Sequence, residues 1–530
     1  MIKPASYKLN DPGFWPKGWE KWNLTVLLQI ALYITVCIIF LSLVPNKLFD
    51  PEIRQVTYVI GFLGCWRFSW WFTHAVRAMI YSKYVYPRMR AEGNRVLDGG
   101  WRPKHLHFMM TTYKEHRSIT EGVVRGIVVQ IREAGIPATI WLGSGDKFDE
   151  DIIEDHLRSV GNDLDITLNI IRQNVGGKRM AIGLVLRAMS RANVPDDDIV
   201  VFMDGDFIME SNAVRSCLPL FKLYPDLEAV TTDEDVIAEA PRWMRSMLSM
   251  RFAQRRLAMQ SHALSGRVLT LTGRMSVFRV KHVKTLEFIR LLEADYLDHW
   301  LWGSFRFLSG DDKSTLYYML KHGARLLYVP DSMGYTVEVV EGNGVNRMVQ
   351  NYRRWSGNML RNGARVIALG PRRVPFFIWW CFVDQRIAMW TMLVNPAVAI
   401  AAATLYSWAY LIQYFLFLAI SRLLLSLVLS SYARTVDMWF PFVLYINQLI
   451  NAAVKVYSIF RLSKQRWFNR GDQKSAVSGD RLLIMAREGF AGFQTTVAVT
   501  ALFLIVILMT GLVETPGFRL FGFFTGDLWG

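Results

Sequence analysis

Two acidic clusters in this 530-residue chain have the residue types and spacing for chemistry. Ile199–Asp206 reads IVVFMDGD, an apolar run of strand type ending in Asp204-Gly205-Asp206. Loops at the carboxyl ends of parallel strands are where open α/β sheets take their ligands. Two carboxylates there can hold a hard divalent cation, Mg2+ or Mn2+, which in turn neutralises a diphosphate. Gly205 lets the chain turn tightly and approach what is bound. Most isolated Asp-x-Asp pairs are solvated turns; the apolar strand before this one favours a site. Gly310-Asp311-Asp312-Lys313 supplies a second acidic pair further along. Adjacent carboxylates, once desolvated, raise one pKa and can supply a general base. Taken alone the motif reads more plainly as a helix N-cap, with Asp at the start of Lys313–Lys321.

Three basic segments accompany them. Asn174–Arg179, NVGGKR, precedes a helical pattern, so its glycines and Lys178 can contact phosphate at a helix N-terminus, or form a plain turn. Asn351–Trp355, NYRRW, offers Arg forks to phosphate and Trp as a flat surface for a sugar ring. An amphipathic helix at a membrane surface would use the same residues. Arg251, Arg255, Arg256, Arg267, Arg274 and Arg279 form a run with no acidic residue among them, which suggests an acidic lipid surface or an acidic ligand.

The elements that must position these groups come from two kinds of sequence. At 52% apolar and 20% charged, the chain is too apolar for an ordinary soluble enzyme and too polar for a bundle of spans alone. The net charge of +16 suits a cytoplasmic face against anionic lipid, or a polyanionic ligand, and no nucleic-acid motif accompanies it. Cys37, Cys65, Cys217 and Cys381 are scattered singly, and their spacing supports neither a disulfide framework nor a thiolate zinc site. Between Ser82 and Arg373 short apolar runs alternate with helical patterns. His105–Thr112, Ala138–Leu142, Asp165–Ile171, Ile199–Met203 and Leu326–Val329 are predicted strands, and Thr120–Ala134 and Met180–Arg191 predicted helices. This alternation predicts an α/β domain with a mainly parallel sheet.

Leu24–Val44, Val56–Tyr81, Ile387–Tyr406, Trp408–Ser430 and Phe493–Val513 are predicted membrane spans. Leu24–Val44 lacks the flanks of a cleaved signal peptide. Within the second span Arg67 must face a polar interior, whereas Arg77 suits snorkelling at the end. Phe440–Phe460 carries a polar stripe of Asn447, Asn451, Lys455 and Ser458, which predicts a helix lying in the interface. The segment 461–489, with seven Lys/Arg against three Asp/Glu, is predicted cytoplasmic. An even number of spans then separates it from a cytoplasmic α/β domain. Five spans satisfy that condition, and six is the competing count.

The order of these blocks resembles the processive, membrane-integrated family 2 glycosyltransferases, which include cellulose, chitin and hyaluronan synthases. The likeness is strongest to their alginate-polymerising branch, the mannuronan synthases. It rests on TTYKE (Thr111–Glu115), SGRVLTLTGRMSVFR (Ser265–Arg279), FRFLSGDDKS (Phe305–Ser314), RWSGNMLRNGAR (Arg354–Arg365) and DQRIAMW (Asp384–Trp390). The resemblance implies a GT-A glycosyltransferase domain inserted between transmembrane α-helices, five or six in number. It divides the chain into an N-terminal segment with two spans (1–82), a cytoplasmic GT-A domain (83–345), interface helices with the Arg-Trp motif (346–386) and C-terminal spans with an interface helix and basic loop (387–530). It implies an inverting, metal-dependent polymerase in a bacterial inner membrane, making β-1,4-linked mannuronan from GDP-mannuronate and exporting it through its own channel. UDP-glucose polymerisation to a neutral glucan, or a non-enzymatic export scaffold, are the competing readings.

Carried onto this chain, the resemblance gives Asp204 and Asp206 to the metal, and Asp312 to the acceptor's proton with Asp311 beside it. Thr111, Tyr113, Glu115, Lys178 and Arg354 go to the nucleotide sugar. Trp355, Arg274, Gly273 and Asn351 go to the growing polysaccharide. Two departures stand out. The family's Asp-Asp-Gly-Ser type turn is replaced by LGSGDKFDED from Leu142, which leaves the base-contacting acid open, Asp146 being one candidate. Asn351, with Gln350 beside it, stands where the family has Gln. No sensor domain is visible after the last span, so the resemblance implies a cyclic di-GMP-sensing partner subunit.

Overall fold

The computed structural model describes residues 24–42, 54–173, 177–339, 344–467, 473–474 and 480–509. Asn174, Val175 and Gly176 of the NVGGKR turn lie outside them, as do parts of the basic 461–489 segment and of the last predicted span.

All five predicted strands form, four of them as β1 (Leu106–Thr112), β2 (Ala138–Ser144), β3 (Ile166–Arg172) and β4 (Ile199–Asp204). The seven-stranded sheet runs in the order Arg325–Val329, Leu227–Thr232, Met275–Arg279, β4, β1, β2, β3. Met275–Arg279 is antiparallel to both neighbours, and the other pairs are parallel. β1 and β2 are buried along their whole length, as central strands covered by helices on both faces must be. Phe108, Ile127, Leu142, Val185 and Phe278 meet in one core between sheet and helices. Because that core holds the strands in register, the loops at their carboxyl ends start from fixed points. Leu227–Thr232 and Met275–Arg279 were not expected, since each is short and mixes Ser, Thr, Glu or Arg into its apolar residues.

Among the described residues, five helices are long and apolar enough to cross a membrane: Leu24–Ser42, Phe376–Leu405, Ala409–Ser430, Phe440–Ile459 and Arg481–Leu508. The number agrees with expectation but the membership does not. The helix Arg54–Ile80, expected as a span, is not among them, and Phe440–Ile459, expected to lie in the interface, is. Counting both gives the competing six. Polar side chains of both helices find partners inside the protein. Arg67 forms an ion pair with Asp384 of helix Phe376–Leu405, so it does face a polar interior. Arg77 does not snorkel: its guanidinium donates to the Ser261 carbonyl at 3.2 Å and lies 3.8 Å over the Phe377 ring.

Two members of the polar stripe on Phe440–Ile459 likewise find partners inside the protein. Asn447 accepts from the Tyr352 hydroxyl, and Asn451 accepts from Ser356 at 3.1 Å. The two pairs share one sequence offset, so helices Gly344–Leu369 and Phe440–Ile459 run side by side in the same direction. At the other end, Arg54–Ile80 continues through Tyr81–Val85 into helix Tyr86–Asp98. There Tyr81 donates to the Tyr328 carbonyl at 2.6 Å, pinning this helix to an edge of the sheet.

Asp384 is 6% exposed, so removing it leaves Arg67 without its counter-charge. Asp384→Ala is expected to cost about 3–5 kcal/mol. Thermal unfolding in detergent should show a clear drop for this variant and partial recovery when Arg67→Met is added.

Candidate active site

Gly177 N-caps helix Lys178–Arg191, which makes Lys178 its first residue. Its Nζ lies 2.7 Å from Asp204 Oδ1 and 3.0 Å from Asp311 Oδ2. Burial works to lower the pKa of this amine, but the two carboxylates outweigh it and hold it raised, so the ammonium stays charged. One cation thus joins the two acidic motifs singled out in the sequence. Asp204 closes β4, where register places it beside Thr111 of β1. The Gly205 N–H donates to the Thr111 carbonyl at 3.0 Å. A Cβ at Gly205 would stand 2.7 Å from that carbonyl oxygen, so close backbone approach is what requires glycine there. The chain leaves through Asp206 into strand Phe207–Met209, which pairs with Gly334–Val339.

The second acidic pair opens helix Asp311–Lys321, but neither aspartate is its N-cap, contrary to the plainer sequence reading. Gly310 caps it in the left-handed region, with φ 86°. Asp311 and Asp312 therefore occupy the first turn, where unpaired N–H groups favour negative charge. The approach to this turn is fixed by buried Arg179. It donates to the Ser309 carbonyl (3.4 Å) and Ser314 Oγ (3.2 Å) on either side of the aspartates, and ties them to the carbonyls of Leu292 (2.8 Å) and Leu291 (2.7 Å) in the preceding helix. Burial raises the Asp311 pKa, yet Lys178 and Arg179 overcome it and hold the carboxyl below its ordinary range. Asp312 moves the other way, raised by burial with Asp311 adding. Neighbouring carboxyls pushed apart in this way divide into a permanent anion and a proton acceptor. A Cβ at Gly273 would stand 3.4 Å from Lys178 Nζ and 3.5 Å from Asp311 Oδ2. Its absence leaves open a cleft lined by Thr111, Lys178, Asp204, Gly273, Asp311 and Asp312.

The arginine run looks different in space. Arg255 and Arg256 pair with Asp233, Glu234 and Asp235, Arg279 with Glu228, and Arg267 donates to the carbonyls of Gly266 and Gly323. For these four the expected acidic lipid or ligand is replaced by partners within the protein. Arg274 pairs with Glu338 at 3.4 Å and Glu234 at 3.8 Å. Burial opposes its charge, but Glu234, Glu338, Asp206 and Asp204 outweigh that. Arg251 instead lies 3.4 Å over the Trp355 ring. Burial, with Arg274 adding, pushes its pKa down to about 10. Arg354 stands 5.9 Å from the same ring. Burial lowers its pKa, while Glu338, Asp312 and Asp311 hold it up, so its charge reaches the acidic pair. Asn351 lies one turn before Trp355 on helix Gly344–Leu369, and no hydrogen bond or ion pair described here joins it to the aspartates.

Of the TTYKE residues, Thr111 lines the cleft and Tyr113 stands apart from it, 40% exposed. A Cβ at Gly145 would meet the Tyr113 ring at 2.9 Å, so that ring abuts the turn after β2. Asp146 in this turn N-caps helix Lys147–Val160, accepting from the Phe148 N–H at 2.9 Å. The acid that shapes the TTYKE turn is Asp149, which sequence reading missed. It is fully buried and accepts from Thr112 Oγ1 at 3.0 Å and the Lys114 N–H at 2.7 Å, where Lys114 is held at φ 53°. Burial raises its carboxyl pKa against those donors and the Glu115 N–H. Asp149 falls three residues after an N-cap, where an acid ordinarily reaches back to its own helix. That position conceals its long-range role.

The family profile described as "Glycosyltransferase like family 2" matches residues 103–358. Glycosyltransferase alg8 of Pseudomonas syringae pv. tomato is 36% identical over 453 residues, covering 84% of this chain and 91% of that protein. Glycosyltransferase alg8 of Azotobacter vinelandii is 34% identical over 485 residues, covering 90% and 97%. Among solved structures, a mannosyltransferase from Pyrobaculum calidifontis in complex with GDP-Man and Mn2+ gives a TM-score of 0.42 at 17% identity. That match covers 72% of this chain and 98% of that one.

The two glycines of the cleft should respond differently to the same small change. Gly205→Ala forces a Cβ against backbone and is expected to destabilise by about 1–3 kcal/mol. Gly273→Ala meets only ordinary contacts and should leave the unfolding temperature near that of the parent. Thermal unfolding of the two variants side by side checks this.

Proposed function

The chain belongs to the alg8 glycosyltransferases of family 2, and from that premise we propose that it polymerises β-1,4-linked mannuronan from GDP-mannuronate. It is an alginate-related glycosyltransferase whose GT-A domain lies between helices able to cross a membrane. The observation that carries the catalytic reading is Lys178, held between Asp204 and Asp311 with Asp312 next along the helix.

In this reading Asp312 takes the proton of the acceptor's 4-hydroxyl as that oxygen attacks the anomeric carbon. The bond from that carbon to the diphosphate breaks, its electron pair leaves with GDP, and configuration inverts. Asp311 stays ionised against Lys178 and keeps its neighbour's pKa up. Asp204 and Asp206 are hard oxygen donors at the end of β4, a set that suits Mg2+ or Mn2+. Such an ion would neutralise the donor's diphosphate. Lys178 and Arg354 face the same diphosphate, while Thr111, Tyr113 and Glu115 border the nucleoside. Trp355 stacks on the acceptor sugar, with Gly273, Arg274 and Asn351 along the polymer's path. Arg251 supports an acidic sugar, being a cation seated on the Trp355 ring where a polymer carboxylate can reach it. The bounds 1–82, 83–345, 346–386 and 387–530, an inner-membrane setting with the catalytic domain cytoplasmic, export through the chain's own helices and a cyclic di-GMP-sensing partner belong to the same proposal.

Two measurements test it. Membranes holding the chain should incorporate radiolabelled GDP-mannuronate into lyase-sensitive polymer, whereas incorporation of UDP-glucose alone would overturn the donor. Asp312→Asn should cut incorporation by about 10²–10⁴-fold with donor binding retained. Full synthesis by that variant would remove Asp312 from catalysis.

A further inference from the structure

We propose that His74, His262 and Cys381 form a binding site for Zn2+, separate from the carboxylate cleft. Among the described residues they are a group whose metal-ligating atoms converge, all within 4.8 Å of one another. They come from three helices distant in the chain, Arg54–Ile80, Arg242–Ala263 and Phe376–Leu405. Cysteine spacing therefore gives no sign of them.

The convergence has the marks of a built site. His262 is 5% exposed and its Nδ1 has no hydrogen-bond partner. Cys381 is 4% exposed and its thiol is free of any disulfide. Ser261 Oγ lies 2.9 Å from His74 Nδ1, which leaves Nε2 directed at Cys381 Sγ, 4.0 Å away. A neighbour that fixes one ring nitrogen and frees the other is the usual support of a metal-bound histidine. The two imidazoles meet edge to face, with centroids 5.4 Å apart.

Zinc binds nitrogen at about 2.0–2.1 Å and thiolate sulfur at about 2.3 Å, so donors around a tetrahedral ion stand roughly 3.5 Å apart. Closing from the present spacing needs small side-chain shifts. Two imidazoles and a thiolate select zinc over the Mg2+ or Mn2+ that carboxylates prefer, and leave a fourth position for water. Arg77 adds positive charge nearby, held on the Ser261 carbonyl. Loss of the Cys381 proton on binding offsets part of it. The ion would tie an N-terminal and a C-terminal membrane-side helix to the helix leading into Ser265–Arg279, which carries Gly273 and Arg274.

The test uses the full chain purified in detergent from zinc-supplemented cells, with metal counted by mass spectrometry and then exchanged for Co2+. The expected result is about one zinc per chain and a thiolate-to-cobalt charge-transfer absorption. Cys381→Ser should abolish that absorption, His262→Gln should weaken metal retention at least about tenfold, and Cys65→Ser should keep both. Folded wild-type chain with neither zinc nor the charge-transfer band would overturn the proposal, whatever the variants do. An unchanged band in Cys381→Ser would do the same.

Discussion

A single ammonium group, Lys178 Nζ, holds together two acidic motifs that are far apart in sequence. Without it Asp204 and Asp311 would lose the cation they share, and losing one partner of a buried ion set costs about 3–5 kcal/mol. The sheet delivers Asp204 through the β1–β4 register and the tight Gly205 approach to Thr111. A second buried cation, Arg179, braces the Asp311 turn by donating to the Ser309 carbonyl before it and to Ser314 Oγ after it. Asp311 is held ionised by Lys178 and Arg179, whereas at Asp312 burial, with Asp311 adding, outweighs Lys313 and Lys178.

Helix Gly344–Leu369 couples this cleft to the membrane-side helices. The acidic pair helps hold the charge on Arg354 and Arg251 lies over Trp355, while Tyr352 and Ser356 on the same helix bond to Asn447 and Asn451 of Phe440–Ile459. Arg67 and the buried Asp384 join two further helices by a charge pair. Polar contacts of this kind orient apolar helices that hydrophobic burial alone leaves free to rotate. They hold Trp355, with Arg251 over its ring, on the same helix that meets Phe440–Ile459.

Much of this was readable in the sequence wherever the signal was local. The strands β1 to β4 announce themselves as apolar runs ended by turn residues, and Asp204-Gly205-Asp206 stands out because one such run leads into it. What failed was long-range. Met275–Arg279 is a strand because both neighbours bury it, with no period of its own. Asp149 reads as a helix-start acid until Thr112 and Lys114 are brought to it. The arginine run looked acid-starved only because its carboxylates, Glu228 and Asp233 to Asp235, lie outside the window. The polar stripe of Phe440–Ile459 suggested headgroups because the helix that satisfies it lies nearly a hundred residues away.

The most direct test of the central claim is the pH dependence of kcat/KM in the parent and in Lys178→Met. The acid limb of the parent should lie above the ordinary aspartate range of about 3.9, because burial and Asp311 raise Asp312. A base must be deprotonated to act, so activity falls as pH drops through that value. Lys178 favours the ionised form of Asp312, so removing its charge should move the limb to higher pH along with lowering the rate. A limb that stays where it was in Lys178→Met would contradict the account.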